Sequence, residues 1–426
     1  EMKKPSSESI IKCHYLCGMK IAIIGGGAAG FFSALAAKRT HRNAEVVIYE
    51  KSQKILSKVK ISGGGRCNVT NATFENRELS KHYPRGENYL RKAFEQFNAK
   101  STVDWFEKRG VQLKTYPDNC IFPQSNDSQT IIDCFLKEAL DLGIRIELGA
   151  GLKGLSKGKD CFQLMINDKI QEADRVILTI GGQPKRSGLT FIEDIGHTII
   201  EPVPSLFTFN MPENPIRELM GNVVEKTKVR IEGSKLIGSG PLLVTHWGMS
   251  GPAVLQLSAW GARYLSERNY QFAILVNWLN ETGENELRSN LQKICVEHGG
   301  KMIANLNPFP MTSRLWEHLL DRSEIPHDLR WKDLAKKHTN KLVNTLLNDR
   351  YEVQGKTTFK EEFVTAGGVD LKEIDFKTMQ SRLVEGLYFA GEVLDVDGIT
   401  GGFNFQAAWT TGYIAGLNSG LPIVPN

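Results

Sequence analysis

Residues 20–50 read KIAIIGGGAAGFFSALAAKRTHRNAEVVIYE, and this stretch decides the fold because it predicts a strand, a tight turn and a helix in succession. Lys20–Ile24 is a short apolar run, and an apolar helical stripe follows from Phe31 to Ala37. Between them lie Gly25, Gly27 and Gly30 in G-x-G-x-x-G spacing. Such spacing allows a tight turn, close approach of a diphosphate to the backbone, and packing of helix on strand. The stretch therefore predicts a dinucleotide-binding α/β fold.

A second predicted strand, residues 44–49, ends at an acid. Glu50 lies about twenty residues beyond Gly30, the separation at which such folds place the carboxylate that binds an adenosine ribose. A membrane or signal segment over residues 21–37 is disfavoured, because glycines interrupt it and it is shorter than the ~20 residues that a span needs. We therefore expect dinucleotide binding here and no membrane association.

Length and composition are typical of an ordinary globular protein with two or three domains. The chain has 426 residues, of which 41% are hydrophobic and 24% charged, and its formal net charge is +5. No dense basic run with interleaved aromatic residues occurs, so we expect no nucleic-acid partner. Seven cysteines without regular pairing intervals predict reduced thiols and a cytoplasmic location. Cys13 and Cys17 lack a second ligand pair, so no metal site is expected.

A triple glycine follows the ribose-binding acid. Residues 51–71, KSQKILSKVKISGGGRCNVTN, are predicted to form neither helix nor strand, because consecutive glycines disfavour both and expose backbone N–H groups. A surface loop is one interpretation. The position after Glu50 favours contact with the same cofactor, to which Asn68 would offer amide donors and an acceptor.

Two more apolar strands end in glycine turns. Residues 175–180 run directly into Gly181 and Gly182, and residues 387–390 run into Gly391 and Glu392. The first of these strands is predicted to be parallel and buried on both faces, so that its turn opens at the same sheet edge as the first glycine turn. This edge is where α/β sheets bind ligands.

The end of the chain returns to the strand, turn and helix pattern of its beginning. Gly401–Asn404 lead into a helix predicted over about residues 405–417, whose N-terminus would offer a positive end to an electron-rich ring. The first domain is therefore predicted to be discontinuous and built from both ends of the chain.

The hydrophobic period changes twice in between. Residues 205–279 alternate apolar and polar positions, which predicts a small β-barrel or sandwich, and apolar residues recur at three and four over 284–347, which predicts a helical insert. The predicted domains are an N-terminal extension (1–18) without assigned function, a dinucleotide-binding domain (19–202 and 363–426), a β-barrel (203–280 and 351–362) and a helical insert (281–350).

Five motifs occur in order, and with them the chain resembles the HI0933-like flavoproteins. They are GGGAAG at 25–30, Glu50, SGGGRCNVTN at 62–71, THWGMSGPAVL at 245–255 and AGEVLDVDGITGGFNFQAAWTTGYIAG at 390–416. The resemblance implies FAD as the cofactor and a glutathione-reductase-like FAD-binding Rossmann domain, interrupted by the β-barrel and the insert. Proteins of this family are described as NAD(FAD)-utilizing dehydrogenases, and some as an aminoacetone oxidase or bile-acid reductases.

The resemblance also implies residue roles. The diphosphate is expected at Gly25, Gly27, Ala28, Ala29 and Gly30, and the adenosine ribose at Glu50 with Lys51 beside it. The flavin ring is expected to be lined by Ser62, Gly63, Gly64 and Asn68, the ribityl chain to meet Gly391 and Glu392, and the pyrimidine edge to face Gly401, Gly402, Phe403, Asn404 and Phe405. Gly181 and Gly182 complete the cofactor-binding set. The chain departs from the family pattern after Gly182, where QPKRSGLTFIEDIGH replaces a longer loop, and at Asn119 and Cys120, where arginine is frequent.

Two side chains are candidates for catalysis. His246 suits proton transfer near neutral pH, and Arg66 could steady an anion, although a backbone-bonded loop histidine and a structural or phosphate-binding arginine are the alternatives. Cys67 is predicted to be a packed residue rather than a redox thiol.

These observations predict an FAD-dependent oxidoreductase that acts on a small organic substrate bound between the flavin domain and the β-barrel. One dinucleotide fingerprint is present, so NAD(P)H is expected at most as a transient electron donor. The alternatives are an oxidase that makes hydrogen peroxide from a small amine, a tRNA-modifying flavoprotein, and a non-catalytic flavin-binding or regulatory protein.

Overall fold

A computed structural model describes residues 18–280, 282–357 and 364–421. The predicted extension, with Cys13 and Cys17, thus lies outside the described residues except for position 18. The chain forms two compact units, one of Glu1–Val203 with Val364–Asn426 and one of Pro204–Phe363. The first unit contains both ends of the chain, as the sequence predicted. The predicted boundary between a barrel domain and a helical insert stays a prediction.

The strands have the following bounds. In chain order they are β1 (Lys20–Ile24), β2 (Glu45–Glu50), β3 (Thr70–Asn71), β4 (Leu113–Thr115), β5 (Cys120–Pro123), β6 (Arg145–Leu148), β7 (Leu152–Lys157), β8 (Phe162–Ile166), β9 (Lys169–Ala173), β10 (Arg175–Leu178), β11 (Ile199–Ser205), β12 (Thr208–Asn210), β13 (Val223–Ile231), β14 (Ile237–Thr245), β15 (Gly248–Ser250), β16 (Gln271–Asn277), β17 (Asp349–Gln354), β18 (Lys356–Thr357), β19 (Val364–Val369), β20 (Ile374–Asp375), β21 (Gln380–Ser381) and β22 (Leu387–Phe389).

The α-helices have the following bounds. In chain order they are α1 (Ala28–Thr40), α2 (Ser57–Gly65), α3 (Asn76–Ser80), α4 (Glu87–Ala93), α5 (Ala99–Glu107), α6 (Gln129–Asp141), α7 (Thr190–Glu193), α8 (Pro252–Trp260), α9 (Ala262–Ser266), α10 (Glu284–Glu297), α11 (Ser313–Arg322), α12 (Lys336–Asn348) and α13 (Phe403–Asn418).

The first unit is organised by a seven-stranded sheet with the order β20-β21-β22-β10-β1-β2-β6. The strands from β22 to β6 are parallel. The apolar runs of β22, β10, β1 and β2 are buried, as expected for central strands of an α/β sheet, whereas the edge strand β6 is partly exposed. Ile24 lies beside Leu178, which lies beside Phe389. The predicted alignment of the Gly25 and Gly181 turns at one sheet edge is therefore confirmed, and the turn at Gly391 lies at the same edge.

Helices α1 and α13 run parallel. They pack closely because α13 has glycines where the two helices meet. A Cβ atom on Gly412 would lie 2.7 Å from the carbonyl oxygen of Ala29, and one on Gly416 would overlap the carbonyl oxygen of Ser33. From the first of these two contacts to the second, the position advances by four residues along both helices, which shows that the helices are parallel. Since α13 begins nine residues before Gly412 and α1 only one before Ala29, the N-terminus of α13 extends about 12 Å further, at 1.5 Å per residue.

The second unit contains a seven-stranded antiparallel sheet with the order β17-β16-β13-β14-β15-β12-β18. Gly355 alone separates β17 from β18, and it donates to the carbonyl of Tyr270 while its own carbonyl accepts from Asn210. The two ends of the sheet therefore meet at one continuous segment, so the sheet closes on itself. Leu287 of α10, Trp316 of α11 and other residues of the insert share one buried apolar cluster with this sheet.

Two expectations about local structure were wrong. The segment 51–71, predicted to be irregular, contains the helix α2, although Ser62–Gly64 leave helical geometry and Gly63 and Gly64 take positive φ. Helices α8 and α9 occupy residues 252–266, where alternation predicted only strands, because the apolar run after Pro252 covers β14. The helix predicted over about residues 405–417 is confirmed: α13 spans Phe403–Asn418 and begins directly after two glycines with positive φ.

Over the described ranges, 18–280, 282–357 and 364–421, none of the helices has the length and apolar content needed to cross a membrane.

Candidate functional site

The first glycine turn combines two packing glycines with one open glycine. Gly25 has φ +115°, and a Cβ there would overlap the backbone of Thr179; a Cβ on Gly30 would overlap the carbonyl oxygen of Gly25. Around Gly27, by contrast, no protein atom lies within 4 Å of the Cβ position. Gly25 and Gly30 therefore let strand and helix pack together, and Gly27 leaves space for a ligand to reach the backbone.

Helix α1 presents an unneutralised N-terminus to that space. Its N-cap is Gly27, no side chain caps it, and its first turn, which contains Ala28 and Ala29, has no acidic residue. Its last turn carries Lys38 and Arg39, which suit the negative end of the helix dipole. Free N–H groups and a positive helix end are the requirements of a diphosphate site, so this end of α1 fits the predicted group.

Glu50 braces the same turn. Its Oε2 accepts a hydrogen bond from the Gly26 N–H at 2.8 Å, and its Oε1 accepts one from the Ser52 N–H at 2.8 Å. A carboxylate has further lone pairs, so both oxygens can still accept from ribose hydroxyls. The half-buried Glu50 thus links the turn to the expected ribose position, while Lys51 beside it is exposed.

The second glycine loop is also open on one side. Gly63 and Gly64 have φ of +58° and +69°, and Cys67, although not glycine, has φ +62°. A Cβ on Gly63 would lie 2.8 Å from the Phe122 ring, whereas one on Gly64 would meet nothing within 4 Å. The half-buried Ser62 supplies the carbonyl that accepts from the Cys67 N–H at 2.9 Å. The loop therefore has one packed face and one accessible face.

Asn68 joins the two ends of the chain. With its amide oriented to satisfy its neighbours, the nitrogen donates to the carbonyls of Thr70 (3.0 Å) and Ile121 (3.2 Å), and the oxygen accepts from the Gly402 N–H (3.1 Å). Asn71 adds a bond from its amide nitrogen to the Gly401 carbonyl at 3.1 Å. These contacts show that Asn68 fixes the turn before α13, and its expected role in lining the flavin ring stays a prediction.

That turn ends in a second uncapped helix N-terminus. Gly401 and Gly402 have φ of +124° and +91°, and α13 begins at Phe403 without a side-chain cap or an acidic residue in its first turn. The Asn404 amide donates to the Gly398 carbonyl (2.9 Å) and accepts from the Gly398 N–H (2.8 Å), which fixes the preceding loop. The backbone N–H groups of this first turn are thus available to electron-rich ring atoms.

Further side chains buttress this second helix end. The rings of Phe405 and Trp409 stack with centroids 5.4 Å apart, and the Trp409 indole donates to the Val69 carbonyl at 2.9 Å. His82 stacks on Phe403 at 4.3 Å. Burial lowers the pKa of His82, and Glu78 offsets part of that effect. His82 was not predicted as a site residue, since no local pattern reveals its contact with Phe403, which lies far away in the chain.

The remaining two glycine turns bring Gly182 and Glu392 together. Gly391 has φ +75°, and its N–H donates to Thr411 Oγ1 at 2.9 Å. Glu392 Oε1 accepts from the Thr365 N–H at 2.9 Å and lies 2.7 Å from where a Cβ on Gly182 would stand. Around Gly181, φ +74°, a Cβ would meet nothing within 4 Å.

Glu392 also pairs with a lysine that the sequence analysis did not select. Lys58 Nζ lies 2.7 Å from Glu392 Oε2, with side-chain exposures of 48% for Lys58 and 19% for Glu392. A lysine eight residues after Glu50 was the available local signal, but its partner is more than 300 positions away.

The two catalytic candidates lie in different units. In the first, Arg66 stacks its guanidinium 4.2 Å from the centre of the Phe122 ring, and its Nε donates to the Gly63 carbonyl at 3.0 Å. In the second, His246 is exposed in the turn between β14 and β15, with its ring 4.2 Å from that of Trp247. Their catalytic roles stay predictions.

The cysteine next to Arg66 is inert in this environment. Cys67 is fully buried, and burial raises the pKa of its thiol to about 12. The thiol is therefore protonated at neutral pH and unsuited to redox exchange. The prediction of a packed residue is confirmed.

Together these features can accommodate FAD. The uncapped end of α1 suits the diphosphate, and the uncapped end of α13, about 12 Å further along a parallel helix, suits the ring at the far end of a ribityl chain. When bound, FAD would supply the redox chemistry, and the protein would supply position and polarity.

Two relatives and one solved structure are similar to this chain over nearly its whole length. The chain is 29% identical over 409 residues to a 3-dehydro-bile acid delta(4,6)-reductase of Clostridium scindens, covering 93% of this chain and 98% of that protein. It is 29% identical over 400 residues to a ribosomal RNA dihydrouridine synthase of Escherichia coli, covering 92% of this chain and 95% of that protein.

The similar structure is a 3-ketosteroid delta1-dehydrogenase from Sterolibacterium denitrificans, with a TM-score of 0.50, 11% identity and coverage of 93% of this chain and 98% of that one, which supports the fold. The HI0933-like protein Rossmann domain matches residues 19–418. Since that match spans almost all of the sequence, this protein belongs to the HI0933-like family, whose Rossmann domain is of the FAD-binding type.

Proposed function

We propose that this protein is an FAD-dependent oxidoreductase that reduces a carbon–carbon double bond conjugated with a carbonyl group in a small organic substrate. The two relatives support this reaction class. One is named a delta(4,6)-reductase of a 3-dehydro bile acid, and the other forms dihydrouridine. Both names describe saturation of a double bond that is conjugated with a carbonyl, although their substrates differ greatly in size.

The observation that carries the proposal is the pair of uncapped helix ends. Neither α1 nor α13 has a capping side chain or an acid in its first turn, and both helix ends belong to one tightly packed parallel pair. With FAD bound, the backbone donors at the N-terminus of α13 would stabilise negative charge on the flavin ring. Reduced FAD supplies a hydride equivalent when bound.

Saturation of an enone also requires an anion to be steadied and a proton to be delivered. When hydride adds to the β-carbon, negative charge develops on the carbonyl oxygen, and the α-carbon then takes a proton. Arg66 is the candidate for the first task, because its stacked guanidinium is held at Gly63 while other N–H donors remain available. His246 is the candidate for the second, because its imidazole is exposed.

We propose a small molecule rather than RNA as the substrate, since the net charge of +5 is low for a chain of this length. NAD(P)H is proposed as a transient electron donor, because the sequence carries one dinucleotide fingerprint and FAD would occupy it. The predicted substrate position stays a prediction.

Anaerobic stopped-flow absorbance of the FAD-loaded protein tests the proposal. NADH or NADPH should bleach the flavin, and an added steroid dienone or simple cyclic enone should restore its colour at least roughly tenfold faster than the matched saturated ketone, as expected if the conjugated bond is the electron acceptor. A flavin that no donor reduces, or that enones do not reoxidise, contradicts the proposal.

Three further outcomes identify the alternatives. Hydrogen peroxide released in air with a small amine indicates an oxidase. Salt-dependent binding of a ribosomal RNA transcript, with dihydrouridine in the product, indicates an RNA substrate. A protein that binds FAD yet stays inert to every donor and acceptor indicates a non-catalytic flavin-binding or regulatory role.

A further inference from the structure

We infer that Lys58 is a cofactor-binding residue whose ammonium group bridges the Glu392 carboxylate and the diphosphate of FAD. The inference rests on the FAD site of the proposed function, and it concerns how that site tolerates acidic side chains beside an anionic ligand.

The position of Lys58 is fixed by the first glycine turn. The N–H of Leu56 donates to the Gly26 carbonyl at 2.9 Å, and Leu56 itself is 1% exposed with φ +52°. A buried residue in this uncommon backbone conformation ties the start of α2 to the turn. Lys58 follows two residues later, so its side chain begins beside the backbone that would hold the diphosphate.

Glu392 is held by contacts of the turn that follows β22, which lies on the opposite side of β1 from β2 in the sheet order. A Cβ on Gly391 would lie 2.8 Å from the Cβ of Ala29, so this turn packs on the first turn of α1. The Thr365 N–H holds Glu392 Oε1 at 2.9 Å, and Lys58 Nζ approaches Oε2 at 2.7 Å. The ammonium therefore lies at the end of α1 that fits the diphosphate.

The sheet order shows that the ion pair between Lys58 and Glu392 connects segments that follow two non-adjacent strands. Lys58 comes from the segment after β2, Glu392 from the turn after β22, and β10 and β1 lie between those strands. The pair consequently spans the edge at which the Gly25–Gly27 and Gly181–Gly182 turns open. An ordinary surface ion pair contributes little to stability. An ion pair at the sheet edge where a ligand binds can also interact with that ligand.

The charges at this edge indicate that the ligand group beside Lys58 is the diphosphate. Glu50 and Glu392 place two carboxylates at an edge that must accept a diphosphate, and like charges at short range repel. A lysine ammonium has three donors, so Lys58 can bond Glu392 and a phosphate oxygen together and neutralise their repulsion. The uncapped α1 end provides only partial positive charge.

Lys60 is a matched control on the same helix. Its Nζ donates to Gln129 Oε1 at 3.0 Å and lies 3.8 Å from Asp127, with a side-chain exposure of 51%. Lys58→Gln and Lys60→Gln therefore remove the same charge from neighbouring, equally exposed positions, and only the first faces the sheet edge.

Titration of the full-length apoprotein with FAD, followed by quenching of flavin fluorescence, tests the inference. Lys58→Gln should raise the Kd roughly tenfold, the effect of losing one charge-assisted hydrogen bond. Lys58→Arg should stay within about threefold of wild type, since it keeps the charge. Lys60→Gln should match wild type. Glu392→Gln introduced into Lys58→Gln should restore part of the affinity, because it removes the carboxylate that Lys58 neutralises.

Two results overturn the inference: Lys58→Gln binding FAD as Lys60→Gln does, or the double variant binding no better than Lys58→Gln. If the wild-type protein itself fails to bind FAD, the proposed function falls instead. Equal melting temperatures of the apoproteins confirm that the variants are folded, so the partial rescue by Glu392→Gln cannot arise from a merely structural role of Lys58.

Discussion

The two uncapped helix ends of the first unit are held in different ways. We call Gly25–Gly30 the head turn and Gly398–Phe403 the tail turn. The head turn is held by close backbone contacts and one nearby acid: Gly25 and Gly30 lie so close to neighbouring backbone that side chains would not fit, and Glu50 accepts from the Gly26 N–H. The tail turn is held by side-chain amides, those of Asn68, Asn71 and Asn404.

The difference has a physical cause. The head turn follows a central parallel strand directly, so the strand fixes its position, and it needs only small residues and the nearby Glu50 carboxylate. The tail turn lies about 12 Å beyond the N-terminus of α1 and needs polar partners from distant segments. One end of the site is thus specified locally, and the other by long-range contacts.

Gly30→Ala should break the head turn and have the largest effect. A Gly→Ala change inside a helix usually stabilises it by up to about 1 kcal/mol, but here the new Cβ overlaps the Gly25 carbonyl oxygen. We expect the free energy of unfolding to fall by about 2–3 kcal/mol, as in overpacked sites, and urea denaturation measures this. Unchanged stability would mean that the backbone contact is not essential.

Gly27→Ala is the matched control. Its Cβ would meet no protein atom within 4 Å, and its φ of −92° suits alanine. Stability should change by less than about 1 kcal/mol, the scale of a poorer N-cap. FAD binding, measured by fluorescence titration, should nevertheless weaken, because the methyl group occupies the space left for the ligand.

Asn68→Ala should break the tail turn while sparing the head turn. The change removes a partner from the Gly402 N–H and from the carbonyls of Thr70 and Ile121. Leaving such groups unpaired costs about 2 kcal/mol, measurable by urea denaturation. Asn418→Ala, at the far end of α13, loses a single bond to Ile414 and should cost clearly less. Equal losses would contradict a special role for Asn68.

Glu50→Gln should weaken FAD binding about tenfold, or about 1.4 kcal/mol, with a smaller change in stability. Glutamine keeps one oxygen acceptor, but the carboxylate uses one oxygen for Gly26 and the other for Ser52 while it accepts ribose hydroxyls. Titration with FAD and with riboflavin, which lacks the adenosine part, separates the roles. Equal weakening of both ligands would argue against ribose recognition.

Acid should loosen the tail turn, and this is the smallest expected effect. The pKa of His82 is lowered by burial, so the folded state favours the uncharged imidazole. The associated stability is present above the ordinary pKa of about 6.5 and is lost as pH falls through the lowered value. Between pH 8 and 5, the melting temperature of wild type should drop more than that of His82→Phe, which keeps an aromatic ring against Phe403. Parallel curves would exclude His82 as the cause.

The central sheet was predictable because its strands are continuous apolar runs. β1 and β10 are apolar runs, β1 is followed directly by Gly25 and β10 within three residues by Gly181, so their burial and the position of the sheet edge can be predicted from local sequence. The helices α8 and α9 were missed because a short apolar run has no periodicity that separates strand from helix. Packing against β14 decided between them.

For the site, the sequence correctly predicted that the Gly25 and Gly181 turns open at one sheet edge. It predicted only some of the residues that hold these turns. Lys58 and Glu392 meet only because the sheet order puts two strands between theirs. Asn68 was selected for its amide, but its partner Gly402 lies at the other end of the chain. Such pairs leave no local signal.

The sequence by itself determined the head turn, the acid at Glu50 and the use of both chain ends, because each depends on residue size, spacing and hydrophobic period over a few neighbouring positions. Only the tertiary structure decided which side chains buttress the tail turn, which lysine faces Glu392, and where the second sheet closes. These depend on contacts between segments far apart in the chain, and such contacts form only when burial of the apolar strands and of α1 against α13 has fixed the sheet order.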